Sequence, residues 1–464
     1  MTSKPLQSAV AMLVMSVALA ACLSSQEKQL TSGDKESVVK EASRHLMDRY
    51  VFPDVGERCA KHLVARMSEG GFDSVSDPEE FARLLTEELY TVAHDKHLRI
   101  RARPRTESAA EADDPFLRAY RRRRSAKEGN FGFAKAEVLE GNVGYVDIRW
   151  FPPIEAARPT ASAAMKFVSN ADALIVDLRQ NGGGNPSTIQ YICSYFFAVR
   201  THLNSLYWRE GNRTEEFWTL NEVEGEKMPD IPIYVLTSQR TFSGGEEFAY
   251  NLKTRKRATL IGETTGGGAN PGGGFPLPAG LAMFVPTGRA INPVTGTNWE
   301  GTGVEPDISC PADTALALAQ EKASAAARDC REPQMQSATT SVKALRGGLE
   351  KAEAQYAKGE ISEGDSAIRS TLAKAVSEGL MDEASINEIG YSLLGEKNHD
   401  LAVGVFRFNV EQFPESWNTF DSLAEAYMTK GEKDKAIEYY KKSLELNPTN
   451  EPARLNIKKM GGRI

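Results

Sequence analysis

Ser243 lies where two sequence periodicities meet. Residues 231–236 are a short apolar run of the kind a buried strand shows, and Thr237, Ser238 and Gln239 are turn-formers. Phe242, Phe248, Ala249 and Leu252 then recur at helical spacing. The serine is therefore expected at a strand-to-helix junction. The first N–H groups of a helix lack internal partners there, and the dipole favours a developing negative charge. A hydroxyl so placed is a candidate nucleophile, and Gly244 and Gly245 would let another stretch of chain approach closely. The same pattern fits a purely structural role, with Ser243 as N-cap and Glu246 completing a capping box. The stretch is not the G-x-S-x-G elbow of esterases.

A serine alcohol needs a base of near-neutral pKa, which histidine supplies. It also needs a group to support the imidazolium and N–H donors for the oxyanion. Three segments hold such groups. The first is His97, close to His94 in a chain with six histidines. The second is Asp177-Leu178-Arg179-Gln180-Asn181-Gly182-Gly183, which follows an apolar run. The third is the acidic, turn-rich segment of residues 299–307, with Glu300. A histidine base implies a pH–rate profile that rises through about pH 6 to 7. The Gly-rich loops at residues 181–185 and 264–274 lack P-loop and G-x-G-x-x-G spacing, which argues against a nucleotide site.

The elements that must position these groups follow from the patterning. Residues 35–92 carry period-3.6 apolar residues, with Asp77-Pro78-Glu79-Glu80 as a helix start. Residues 131–318 alternate strands (143–148, 173–178, 231–236, 258–261) with helices (159–170, 186–199, 242–252), as in a parallel or mixed sheet covered by helices. Active residues of such sheets gather at the C-terminal ends of the strands. Further on, Ala402, Phe406 and Pro414 are followed 34 residues later by Ala436, Tyr440 and Pro448, the tetratricopeptide period. The expected organisation is a signal peptide (1–22), a tether (23–34), an N-terminal helical domain (35–100) and a linker with one short helix (101–130). An α/β core (131–320), a second linker (321–343) and an all-α repeat array (344–460) complete it.

The 464 residues are 41% apolar and 26% charged, ordinary globular material for two or three domains. A net charge of −7 argues against nucleic acid as a partner. The basic run of residues 121–124 reads as a solvated face. Residues 9–21 are apolar but too short to span a bilayer. They end in Leu19-Ala20-Ala21-Cys22, which resembles a bacterial lipobox with Cys22 as the acylated residue. Lipidation there would tether the chain to a membrane of the bacterial envelope. The other four cysteines show no metal-ligand spacing; a Cys310–Cys330 bridge and buried free thiols are both compatible with it.

Taken in order, D-x-H at 95–97, D-L-R-x-N-x-G-G at 177–184, S-G-G-E-E-F-A at 243–249, G-E-T-x-G-G at 262–267 and G-x-G-V-x-P-D at 301–307 resemble the S41 serine peptidases. These include the tail-specific proteases, the tricorn core and the interphotoreceptor retinoid-binding repeats. The resemblance implies an S41 mixed-sheet core of the ClpP/crotonase-like kind. The Ser–Lys branch of that family places a lysine where Gly268 stands, and residues 257–300 contain no lysine. The tricorn-like branch implies Ser243 as nucleophile, His97 as base and Glu300 as its support. It implies an oxyanion hole from the N–H groups of Gly244 and of Gly182 or Gly183. Tricorn-type sites carry a serine just before the histidine, where this chain has Lys96. The expectation is a membrane-tethered serine endopeptidase that needs no metal or cofactor. Its repeats would engage a protein partner. The alternative is a catalytically silent module of the same fold, binding an apolar ligand or serving as a scaffold.

Overall fold

A computed structural model describes residues 29–103 and 114–463; Cys22 and the lipobox lie outside them. The chain divides into two compact units, the first ending at Asp329 and the second starting at Cys330.

In the first unit, α1 (Ser32–Arg49), α2 (Pro53–Ser68) and α3 (Pro78–Ala93) form a helical layer that runs into strand β1 (Arg99–Ala102). The start of α3 is as the sequence implies. Asp77 accepts from the Glu80 N–H at 2.8 Å, and Pro78 occupies a position whose N–H has no helical partner. Val38, Leu46, Leu63, Phe81, Leu85 and Leu89 are fully buried in one core. That core is not closed by the helices themselves. Leu277, Leu281, Met283 and Val285 complete it. They come from the hairpin of β9 (Gly272–Pro276) and β10 (Leu281–Pro286), with β10 antiparallel to β1. The boundary expected at residue 100 therefore does not separate two cores.

Between these segments runs α4 (Pro115–Glu128), on which Arg121 to Arg124 are exposed. Then comes a six-stranded sheet in the order β12-β8-β7-β4-β3-β2. Its strands are β2 (Phe133–Leu139), β3 (Val143–Ile148), β4 (Ala173–Asp177), β7 (Ile233–Thr237), β8 (Thr259–Gly262) and β12 (Ile308–Ser309). All neighbours are parallel except β2 and β3. Both faces are covered, which is why β4 reads as an unbroken apolar run ending in Asp177 and is buried throughout. On one face α5 (Ile154–Phe167), α6 (Pro186–Cys193) and α7 (Gly244–Thr254) pack with Val146, Val176, Val235 and Leu260. On the other, Ala315, Ala319, Ala323 and Ala327 lie against Tyr145, Ile175, Leu236 and Ile261. A second, antiparallel sheet has the order β11-β5-β6, from β5 (His202–Trp208), β6 (Arg213–Trp218) and β11 (Gly288–Ile291).

The alanine stripe belongs to helix α8 (Ala315–Ala357), so residues 321–343, expected as a linker, are helical. In the first part of that stretch Ala323 and Ala327 are buried and the polar residues lie on the outward side. Cys59, Cys193, Cys310 and Cys330 are free thiols, and no Cys310–Cys330 bridge is formed.

The second unit holds the remainder of α8, then α9 (Ile361–Ser377), α10 (Glu383–Gly395), α11 (His399–Gln412), α12 (Trp417–Lys430), α13 (Lys433–Leu446) and α14 (Glu451–Lys459). The repeat period is the packing period. Ala402 and Ala436 are fully buried, and Phe406 and Tyr440 are buried at the corresponding larger positions. Among the described residues no helix is long and apolar enough to cross a membrane.

Candidate active site

Ser243 stands between β7 and α7 with φ 54° and ψ −117°. Those angles suit the first central residue of a type II′ turn, where glycine is favoured; a non-glycine residue held there costs of order 1–3 kcal/mol. Its surroundings hold it in place. The Phe242 N–H donates to the Asn181 carbonyl at 2.9 Å, and the Ser243 N–H to Glu246 Oε2 at 2.8 Å. The Glu247 N–H closes the first helical turn on the Ser243 carbonyl at 2.9 Å. A strained strand–turn–helix elbow thus forms without the G-x-S-x-G sequence.

Glu246 does more than cap. Its buried carboxylate also accepts from Thr265 Oγ1 at 2.5 Å, the Gly267 N–H at 2.6 Å and the Gly268 N–H at 2.9 Å. It therefore ties the 265–268 loop to the Ser243 turn. Burial holds this carboxyl above the usual range even so, with the donors acting in the opposite direction.

The loop after β4 packs backbone to backbone on Ser243. Asn181 shapes it, donating through Nδ2 to the Ile148 carbonyl at 2.8 Å and accepting the Gly183 N–H at 2.8 Å. The Gly182 N–H donates to the Arg149 carbonyl at 3.2 Å. Of the amides expected to face an oxyanion, the two alternatives in this loop, Gly182 and Gly183, are therefore both engaged, and Gly244 is not. The amides of Gly184 and Gly244 have no acceptor among the described residues. They are close neighbours: a Cβ on Gly244 would fall 2.8 Å from the Gly184 nitrogen. Gly184 has φ +140°, and a Cβ there would sit 2.1 Å from the Phe151 carbonyl oxygen, so no other residue fits. Asp177 and Arg179 of the same motif bind each other at 2.6 Å, and Arg179 reaches the Ala312 carbonyl; their role is to hold the sheet end together.

His97 follows α3 and is buried. Its ring lies 4.6 Å from the Phe242 ring and 5.9 Å from that of Phe284. Asp95, His97 and Glu300 each offer a side-chain atom within 4.8 Å of the other two. The structure thus brings Glu300 to His97 without any relay through residue 96. Lys96 turns instead to the Gly266 carbonyl at 2.5 Å. The Nδ1 of His97 and Oε1 of Glu300 are buried without a hydrogen-bond partner, and no hydrogen bond joins Ser243 to His97. Burial pushes His97 down to about 4, with the Arg99 charge adding to it. Burial raises Glu300, and the neighbouring Asp95 charge raises it further.

Asp95 is a site residue that the sequence reading passed over, although it opens the D-x-H motif. It accepts from the His97 N–H at 2.9 Å, Tyr50 Oη at 3.0 Å and Asn270 Nδ2 at 2.9 Å. It joins α1's end, the histidine turn and the 265–270 loop. His94 is the left-handed C-cap of α3, its ring edge-on to Tyr90 at 5.7 Å, and is structural.

Gly268 explains the missing lysine. A Cβ at this position would lie 2.3 Å from Phe242 Cζ and 2.7 Å from His97 Cε1. A histidine packed here and a side chain at 268 exclude each other. Lys253, the nearest lysine along α7, is held at that helix's far end by the Glu305 carbonyl at 2.5 Å and Asp307 at 3.3 Å. The Asp95–His97–Glu300 group has the donor types of a metal site, but Asp95 already accepts from three donors.

Beside Ser243 opens a cavity of about 510 Å³. Its wall includes Gly184, Gly244 and Glu247, with aromatic residues from the loop after β3 and from the β5–β6 sheet.

Comparison with known proteins finds three family matches and several proteases among the relatives. Residues 142–310 match peptidase family S41, and residues 29–126 match the N-terminal domain of Peptidase_S41 in eukaryotic IRBP. Residues 422–450 match the tetratricopeptide repeat. A carboxyl-terminal-processing protease of Synechocystis sp. is 35% identical over 127 residues, 27% of this chain and 28% of that protein. A protein of the same name from Picosynechococcus sp. is 29% identical over 152 residues, 33% of this chain and 35% of that protein. The tricorn protease of Thermoplasma volcanium is 30% identical over 201 residues, 42% of this chain and 17% of that protein. This chain thus spans about a third or less of the length of these relatives. His97 falls in the N-terminal match and Ser243 in the peptidase match: the chain carries an S41 N-terminal domain, an S41 peptidase domain and a tetratricopeptide repeat, in that order.

Proposed function

We propose that the chain is a serine endopeptidase in which Ser243 attacks the peptide carbonyl. His97 takes the serine proton and later delivers it to the leaving amine. Glu300, beside His97, supports the imidazolium. The observation that carries this reading is the strained Ser243 turn set against two amides without acceptors, next to a buried histidine with an acid at its side. The oxyanion is assigned to the N–H groups of Gly184 and Gly244, in place of Gly182 or Gly183. The resting chain has no Ser243–His97 hydrogen bond, so binding of substrate must bring the two into reach. The bond cleaved lies in a peptide or protein, the class that the names of the relatives point to. A fluorescent serine-directed phosphonate tests the reading. It should label the wild-type chain at Ser243, and absence of any label on folded protein would overturn the assignment.

The chain is further proposed to be held at a membrane of the bacterial envelope by a lipid on Cys22, with the tetratricopeptide unit recruiting a protein partner. Fractionating cells that express the wild type, Cys22→Ser and a chain lacking residues 344–460 tests both. Cys22→Ser should move to the soluble fraction, and the truncated chain should stay on the membrane but co-purify with less partner. Membrane retention of Cys22→Ser would sink the tether, and unchanged co-purification would sink the recruitment role.

A further inference from the structure

The cavity beside Ser243 contains a buried acid that the mechanism does not use. Glu247 is 5% exposed and lines the cavity one helical turn beyond the nucleophile. The walls are Phe151, Leu206, Trp208, Phe217 and Trp299, and Glu215 stands exposed on β6 at the lining. The lining contains two carboxyl groups and no lysine, arginine or histidine. Asn204 and Asn251 are fully buried, and their side-chain amides have no hydrogen-bond partner of good geometry. They lie close enough to the Glu247 carboxyl to favour its charged form. Desolvation nevertheless pushes that carboxyl up to about 7, and among the described residues no cation offsets the burial. Buried carboxylates are rare unless paired, and here the described residues supply an acid, two amides and a cavity, but no cation.

Resting on the peptidase reading above, we propose that this cavity receives a lysine or arginine side chain of the peptide, with Glu247 as its counter-ion. The side chain belongs to the residue whose carbonyl Ser243 attacks. The depth fits. Glu247 is four residues on from Ser243, a helical rise of about 6 Å, comparable with the stem of a lysine. The aromatic walls suit that stem, and their faces attract the cation. An uncharged apolar side chain fills the same space but leaves Glu247 buried and unpaired. The preference is therefore a matter of charge and not of size.

Two internally quenched peptides, identical except for lysine or norleucine at the attacked residue, test this with the full-length chain. At pH 8 the wild type should cleave the lysine peptide with kcat/KM at least about tenfold above the norleucine peptide. Glu247→Gln, close in shape, should bring that ratio near one. A wild-type ratio near or below one overturns the proposal, and this measurement needs no variant. Binding of p-aminobenzamidine to Ser243→Ala, followed by its fluorescence, separates the pocket from the chemistry. It should saturate with Ser243→Ala and be lost when Glu247→Gln is added. Saturable, Glu247-dependent binding by a chain that cleaves neither peptide would refute the peptidase reading and uphold the pocket. Cleavage of both peptides at equal rates without amidine binding would do the reverse.

Discussion

Replacing Ser243 by alanine should lower kcat/KM on a quenched peptide by a factor on the order of 10⁴ or more while the fold persists. The reason for both halves is local. The turn is held through the backbone: the Ser243 N–H on Glu246 and the Phe242 N–H on Asn181 do not involve the hydroxyl. Alanine leaves those bonds in place and inherits the unfavourable φ of 54°. Ser243→Gly offers a sharper test of the strain. It removes the same nucleophile, so it should be equally inactive, but glycine accepts this conformation, and the variant should gain about 1 kcal/mol over Ser243→Ala. Thermal or denaturant unfolding of the two variants measures the difference. Residual turnover in Ser243→Ala within a factor of ten of wild type would end the nucleophile assignment.

His97→Ala should cost several orders of magnitude in rate, and His94→Ala little, because only His97 lies beside Phe242, Gly268 and Glu300. The pH dependence is more diagnostic than the loss itself. An exposed histidine base would give a limb at about pH 6 to 7, as the residue type alone suggests. Burial lowers His97 to about 4 in the folded chain. In the proposed mechanism the neutral ring is the base, so the acid limb of kcat/KM should fall near pH 4, and activity should persist at pH 5.5. The linkage sign is the same for stability. A histidine with a depressed folded pKa binds more protons when unfolded. Its contribution is present above about pH 6.5 and is lost as the pH falls toward about 4. Deleting the ring removes that dependence, so wild type and His97→Ala should differ in the acid slope of their stability. A limb at pH 6 to 7 in the wild type would mean that the ring is solvated in the working enzyme.

Much of this site is legible in the residues because it rests on strong local patterns. β3 runs over the expected residues, and β4, β7 and β8 fall within two residues of expectation, since strands buried on both faces are short apolar runs. Ser243 follows from its place between such a run and a helical period. What escapes is set by distant contacts. β6 is RTEEFW and β9 is GGGFP, with no apolar face to announce them. α5 begins at Ile154, although Pro159 suggests a start five residues later. Which glycine amides are free depends on the Arg149 carbonyl and the Asn181 side chain, neither of which spacing can place. Asp95 is overlooked for the same reason: its partners, Tyr50 and Asn270, stand far from it in sequence.

The shared core of the N-terminal helices and the β9–β10 hairpin has a bearing on how the protein is made. A ribosome releases the helices first, but Leu277, Leu281, Met283 and Val285, which seal them, follow about 180 residues after β1. At about 5–20 residues per second, the helical layer waits roughly 10–40 s with one apolar face open. The nascent chain is most vulnerable to aggregation in that interval, and most in need of a chaperone. His97 emerges early as well, but the wall against which it packs, Phe242, Gly268 and Phe284, is complete only once the hairpin has followed, so the candidate site cannot assemble before then.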